Sequence, residues 1–363
     1  MSSWPRLPGS WPRGWIHKDL RRLDPERPID GFSPKPRMAN EVNSVVCHHN
    51  SCYKTAMDNM RKWIIAARPW ALPASTMPVV FGTALAVVSG GARLSPLRFI
   101  WALLTMMVLH TAANMLSDVF DFRRGLDRDV TPVSGAIVRG LLTDKQVLRG
   151  SIVLFGLGAA SGLLIAWATG RSLFIVGGIG LAVGACYSLL KARALGDLAV
   201  FLNFGILGSA GAWLVQTKAF SWLPLVWAVP MAMLVSAILH ANNWRDIGSD
   251  GERKVTTIAG LLGDRGSLAY YGVLIFGPFA IDLFLIAVPR LAGGQCRPMP
   301  LTFLLVFLAL PSALRLWGRA SRRAAARSPL DFVVLDGATA THNLVFGLLS
   351  TAAVILEGIV RWG

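Results

Sequence analysis

Nine stretches of the chain are apolar for about the length of a bilayer crossing, and polar residues collect between them. They cover residues 71–90, 96–117, 147–168, 172–190, 198–216, 223–243, 267–288, 301–317 and 338–360. Such runs predict helices, because a helix satisfies every backbone hydrogen bond within itself where lipid offers none. The expected fold is all-α: about nine transmembrane helices around a central cavity that opens toward the cytoplasmic side. With the N-terminus cytoplasmic, twenty Lys and Arg fall in inside segments, from Arg61 to Arg327, and seven fall outside, from Arg93 to Arg361. That asymmetry predicts a multi-pass protein of the cell (inner) membrane with a cytoplasmic N-terminus.

Composition agrees with membrane residence, with 53% hydrophobic and only 15% charged residues against about 25% charged in soluble domains. Residues 1–56 are different material. Seven of the chain's 20 prolines lie between Pro5 and Pro36 among Arg, Asp and Trp without apolar periodicity, which predicts a disordered N-terminal tail ahead of a transmembrane domain at 57–363. The net charge of +16 is scattered over loops rather than gathered into a stripe. It fits anionic lipid headgroups and excludes a nucleic-acid partner. Cys47 and Cys52 lack a second ligand pair at zinc-finger spacing, and Cys186 and Cys296 imply no disulfide framework.

Two acidic clusters close even-numbered spans. The first is Asn114-Met-Leu-Ser-Asp118-Val-Phe-Asp121 and the second Asn242-Asn-Trp-Arg-Asp246-Ile-Gly-Ser-Asp250. Helical spacing puts Asn114, Asp118 and Asp121 on one face, and Asn242, Asp246 and Asp250 on another. Carboxylates at membrane depth are costly unless they face a wet cavity, pair with cations or hold a metal. Each cluster opens a long loop on the same predicted face, 118–146 and 244–266, suited to capping a polar cavity.

Hard carboxylate oxygens without nearby Cys or His pairs suit Mg²⁺, which binds through a few carboxylates together with a substrate's phosphates. Arg123, Arg124, Arg128, Arg139, Lys191, Arg193, Arg245 and Lys254 share that face. The combination suits a diphosphate, and ionisation of an allylic diphosphate is a chemistry that needs it. Metal and cationic groups neutralise the leaving group, and a dry aromatic pocket suits the carbocation.

From about residue 61 to 360 the chain resembles the UbiA superfamily of membrane prenyltransferases. Arg68-Pro-Trp-Ala-Leu-Pro-Ala74, Gly196-Asp-Leu-Ala-Val-Phe-Leu-Asn-Phe-Gly205 and Asn242-Asn-Trp-Arg-Asp246 with Asp250, Lys254 and Thr256 are most similar to 1,4-dihydroxy-2-naphthoate polyprenyltransferases of menaquinone synthesis. The resemblance implies that Asp118, Asp121, Asp246 and Asp250 hold Mg²⁺, with Asn114 and Asn242 orienting the site. It places Arg139, Lys191, Arg245 and Lys254 at the substrate, which would be a polyprenyl diphosphate joined to an aromatic acceptor. Ser117 and Arg253 depart from the family's usual residues.

Other polar residues have competing roles. His110 fits a substrate contact or a helix-packing hydrogen bond, while His240 and His342 read as structural. Asp197 fits a base, an acceptor-binding group or a cap, and Asp127 a metal-site or salt-bridge role. A 4-hydroxybenzoate prenyltransferase is the alternative within the same chemistry. A cation-coupled transporter would place its acids near span centres, and a phosphatidyltransferase would gather them in one span.

Overall fold

Every apolar run folds as helix in the computed structural model, which describes residues 59–125, 135–252, 255–291, 297–323 and 329–362. The expected tail, Asp127, Lys254 and Cys296 lie outside the described residues. The helices are α1 (Pro73–Val88), α2 (Pro96–Arg123), α3 (Asp144–Thr169), α4 (Arg171–Lys191), α5 (Gly196–Thr217), α6 (Val229–Arg245), α7 (Ile258–Leu291), α8 (Leu301–Ala320) and α9 (Pro329–Trp362). Among the described residues there is no strand, only an isolated bridge between Arg193 and Thr256.

Seven of these helices are long and apolar enough to cross a membrane. An eighth span forms if Asn59–Ala71 and α1, bent by 54°, count as one. The expected nine is therefore approximate, for two reasons. The chain bends where Pro69 and Pro73 interrupt it. In α6, 17 residues long, the last turn is given to Asn242, Asn243 and Arg245.

Packing places the site. α2 runs along α3, α6 along α7, and α1 lies against α5 and α9, with α9 also against α6. Phe81, Leu85, Leu214, Trp227, Met231, Phe303 and Phe346 form the apolar centre of this arrangement. Without a hydrophobic force between helices in lipid, close approach depends on small residues. A Cβ on Gly82 would overlap the Ser209 carbonyl, and one on Gly205 would overlap Ala232. By contrast α3 and α4, with 17% of each spanning window buried, stand at the flank. α3 starts with a capping box, in which Gln146 N donates to Thr143 Oγ1 at 3.2 Å and Thr143 N donates to Gln146 Oε1 at 2.9 Å.

Gly205→Ala should therefore push α5 off α6 and destabilise the bundle by about 1–3 kcal/mol. Gly156→Ala, where nothing lies within 4 Å of the new Cβ, should be neutral or stabilising. Thermal unfolding of the detergent-solubilised variants measures the difference.

Candidate active site

The first acidic cluster occupies the last turns of α2. Asp118 is buried and pairs through Oδ1 with Arg68 Nη2 at 2.9 Å. Arg68 precedes Pro69 and holds a left-handed backbone, φ 50°. A non-glycine residue there stores strain, which the ion pair helps to offset. A Cβ on Gly135 would overlap the Asp118 carboxylate, so the backbone at Gly135 lies directly against that side chain. One turn on, Lys191 Nζ meets Asp121 Oδ2 at 3.0 Å. Asn114 Nδ2 is buried without a hydrogen-bond partner among the described residues.

The second cluster ends α6. Arg245 lies between Asp246 Oδ1 and Asp336 Oδ2, 2.8 Å from each, and also donates to Asn242 Oδ1. This fork ties α6 to the start of α9. Asp250 follows, buried on the short helix Ile247–Glu252, and its N donates to the Asp246 carbonyl at 2.9 Å. Trp244 packs behind, its Nε1 donating to Asp264 at 2.8 Å, with the Arg323 guanidinium over its ring.

A backbone clasp brings the two clusters together. Ala194 N donates to Thr256 O at 2.7 Å and Thr256 N to Ala192 O at 3.3 Å, so the turn after α4 is tied to the chain after Asp250. Lys191 ends α4 beside that clasp, paired with Asp121. Tyr187, one turn earlier, lies within the fields of Lys191, Asp121, Asp197 and Arg68. Lys191 thus pairs with an acid of the first cluster at the end of the helix that the clasp ties to the second.

Below this polar end lies a cavity of about 210 Å³ between α2, α3, α4 and α5. Its wall is almost wholly apolar, with the rings of Phe155, Phe174 and Phe204. Gly177, Gly180 and Gly184 give the cavity room on α4, and Lys191 lies two turns beyond Gly184 on the same helix face. On α2 the lining residues Leu109 and Ala113 lead in the same way toward Ser117 and Asp121.

Several sequence-predicted residues lie elsewhere. Asp197 is buried against His240 Nδ1 at 3.3 Å and Asn243 Nδ2 at 3.5 Å, and no side-chain cap forms. It joins α5 to α6. His110 accepts or donates a 2.7 Å bond with Ser75 and packs on Phe204 at 4.4 Å, and His342 bonds Ser312. Arg139 sits in the turn after Gly135. Sequence reading missed Arg68 as the partner of Asp118, Asp336 as the partner of Arg245, and Asp282, which is buried inside α7 away from both clusters. A lone acid fifty or more residues from its partner leaves no local signal.

No three His, Cys, Asp or Glu among the described residues form a group that could hold a metal alone. The candidate metal-binding groups are hard oxygens, with Asp118, Asp121 and Asp246 each beside a cation, and Asn114 Nδ2 is an unsatisfied hydrogen-bond donor. That set does not make a closed protein cage. It fits Mg²⁺ arriving with a substrate's phosphates and keeping waters of its own.

Residues 75–335 match the UbiA prenyltransferase family. The chain belongs to that family. UbiA prenyltransferase domain-containing protein 1 of Mus musculus is 30% identical over 81% of this chain and 84% of its own, and that of Danio rerio is 32% identical over the same shares. Among solved structures, a UbiA homolog from Archaeoglobus fulgidus bound to DMAPP and Mg²⁺ aligns with TM-score 0.55 at 16% identity, covering 80% of this chain and 99% of that one. The apo UbiA homolog from Aeropyrum pernix K1 aligns with TM-score 0.56 at 17% identity, covering 78% and 97%. At these identities the structures show the fold shared by this prenyltransferase family.

Because Lys191 and Asp121 are nearly buried, Lys191→Met should strand a carboxylate and destabilise the bundle by about 3–5 kcal/mol. Adding Asp121→Asn should recover part of that loss. A thermal-unfolding double-mutant cycle reads the coupling.

Proposed function

We propose that this family member transfers a polyprenyl group from its diphosphate to an aromatic acceptor, and that the acceptor is 1,4-dihydroxy-2-naphthoate. The observation that carries the reading is Lys191, which pairs with Asp121 beside the clasp to the second cluster and lies on the same face of α4 as the apolar cavity. A prenyl diphosphate has that polarity at its reacting end, a charged head on an apolar allylic unit, and the cavity leaves room for an aromatic acceptor against that unit. The ligands of the Archaeoglobus fulgidus homologue, DMAPP and Mg²⁺, have the same chemistry. The naphthoate acceptor rests on the Arg68-Pro-Trp, Gly196-Asp and Asn242-Asn stretches. The same reading sets the acidic end toward the cytoplasm, as the loop charges predict.

Asp118, Asp121, Asp246 and Asp250 would hold Mg²⁺, with Asn114 and Asn242 orienting them. Bound with the donor, the ion supplies charge neutralisation at the leaving diphosphate. Arg68, Lys191 and Arg245, each now paired with a carboxylate, can turn to phosphate oxygens, joined by Arg139. The apolar wall excludes water from the allylic carbon, and Phe155, Phe174 and Phe204 offer π faces to the positive charge that develops there. Clustering these cations against one anion is a preorganised electrostatic device, the kind that removes several kcal/mol from a barrier.

Asp118→Asn and Asp246→Asn should each remove most turnover, on the order of a hundredfold, while the protein still inserts. EDTA should do the same to the wild type. Ample activity in both variants or in chelator refutes the metal reading. For the acceptor, dihydroxynaphthoate labelled in its carboxyl carbon should release labelled CO₂ together with a prenylated naphthol. Prenylation of 4-hydroxybenzoate with no product from the naphthoate refutes that assignment and leaves the broader transferase standing.

A further inference from the structure

The cavity wall contains an amide that the proposed chemistry has not used. Asn203 lies on a π-helical segment, Phe201–Leu207, inside α5. Such segments carry one residue per turn too many for the regular ladder and recur at functional sites. Its amide faces the glycine wall of α4. Oδ1 is 3.0 Å from where a Gly180 Cβ would be and Nδ2 is 3.5 Å from a Gly184 Cβ, so bare backbone gives it room.

Thr105, the other polar lining residue, is satisfied, since its hydroxyl bonds the Trp101 carbonyl at 2.8 Å and Ser161 Oγ at 2.7 Å. Asn203 makes no side-chain hydrogen bond among the described residues and is only half-buried, so its amide meets the cavity. A polyprenyl chain has no atom to satisfy it, and an apolar occupant would leave both ends of the amide unpaired at a cost. Binding sites with this make-up, apolar walls and one placed polar group, use the polar group to orient a ligand.

Depth identifies what is oriented. Gly184 is seven residues from Lys191, about 10 Å along the helix. A ring whose reacting carbon comes within about 3–3.5 Å of the allylic carbon would stand beneath the diphosphate and direct its far end at this depth. Resting on the acceptor reading above, we propose that Asn203 is the specificity-determining residue for the aromatic acceptor. Its amide hydrogen-bonds the 4-hydroxyl of dihydroxynaphthoate, the oxygen farthest from the carboxylated carbon.

The test is a cycle between residue and substrate oxygen. Membranes bearing wild type, Asn203→Leu or Asn203→Ala are given geranylgeranyl diphosphate with either 1,4-dihydroxy-2-naphthoate or 1-hydroxy-2-naphthoate, which lacks the 4-hydroxyl. Either variant should raise the KM for the dihydroxy acceptor about tenfold, leave that for the monohydroxy acceptor nearly unmoved and leave the donor KM unchanged. The alanine variant adds no bulk against Gly180, which separates the lost hydrogen bond from overpacking. An equal fall for both acceptors makes Asn203 structural and overturns the proposal. A shift in donor KM or in preferred chain length with no acceptor effect assigns the cavity to the chain and overturns it too. Prenylation of neither ring by the wild type refutes the naphthoate reading itself, and this inference with it.

Discussion

The cost of charge at the edge of the bilayer organises this protein. A carboxylate there needs a cation within reach, and the chain provides one for three of the site acids: Arg68 for Asp118, Lys191 for Asp121 and Arg245 for Asp246. These pairs also fix where helices end relative to one another. Arg245 links α6 to α9 through Asp336, and Lys191 links α4 to α2. Removing the pairs would both unbalance the charge and loosen the joints between helices.

An arrangement that neutralises acids in the resting protein is also one that can receive an anion. On the proposed reading, Asp118, Asp121 and Asp246 would hold the metal that comes with a diphosphate, and Arg68, Lys191 and Arg245 would then be free to meet its phosphates. Charge is conserved at each exchange, so a highly charged head can enter a site of low dielectric without stranding a group. The clasp between Ala192, Ala194 and Thr256 ties the turn after α4 to the chain after Asp250. Beneath it, the glycines of α4 keep the cavity open.

Much of this was legible in the chain. The apolar runs marked each of the nine long helices, because lipid burial leaves a long one-dimensional signal. The acidic clusters announced themselves because charge at span ends is rare enough to need a reason. The number of crossings was less legible, since proline bends near Pro69 and Pro73 and the short α6 blur a count made from hydropathy. The pairing of Arg68 with Asp118, the fork to Asp336 and the clasp at Thr256 join segments far apart in sequence. Each depends on tertiary approach alone. Asp197, which beside Gly196 suggested a base, an acceptor-binding group or a cap, lies against His240 and Asn243 between α5 and α6, partners that the local sequence does not name.

On the proposed reading the two acidic clusters, joined through the clasp beside Lys191, form a single metal and diphosphate site. Calorimetric titration of the purified protein with geranylgeranyl thiolodiphosphate, with and without Mg²⁺, tests it directly. If the clusters act as one, each ligand strengthens the other reciprocally, and Asp121→Asn or Asp250→Asn abolishes the coupling equally. Independent binding of the two ligands, or coupling that survives loss of either cluster, would contradict the account.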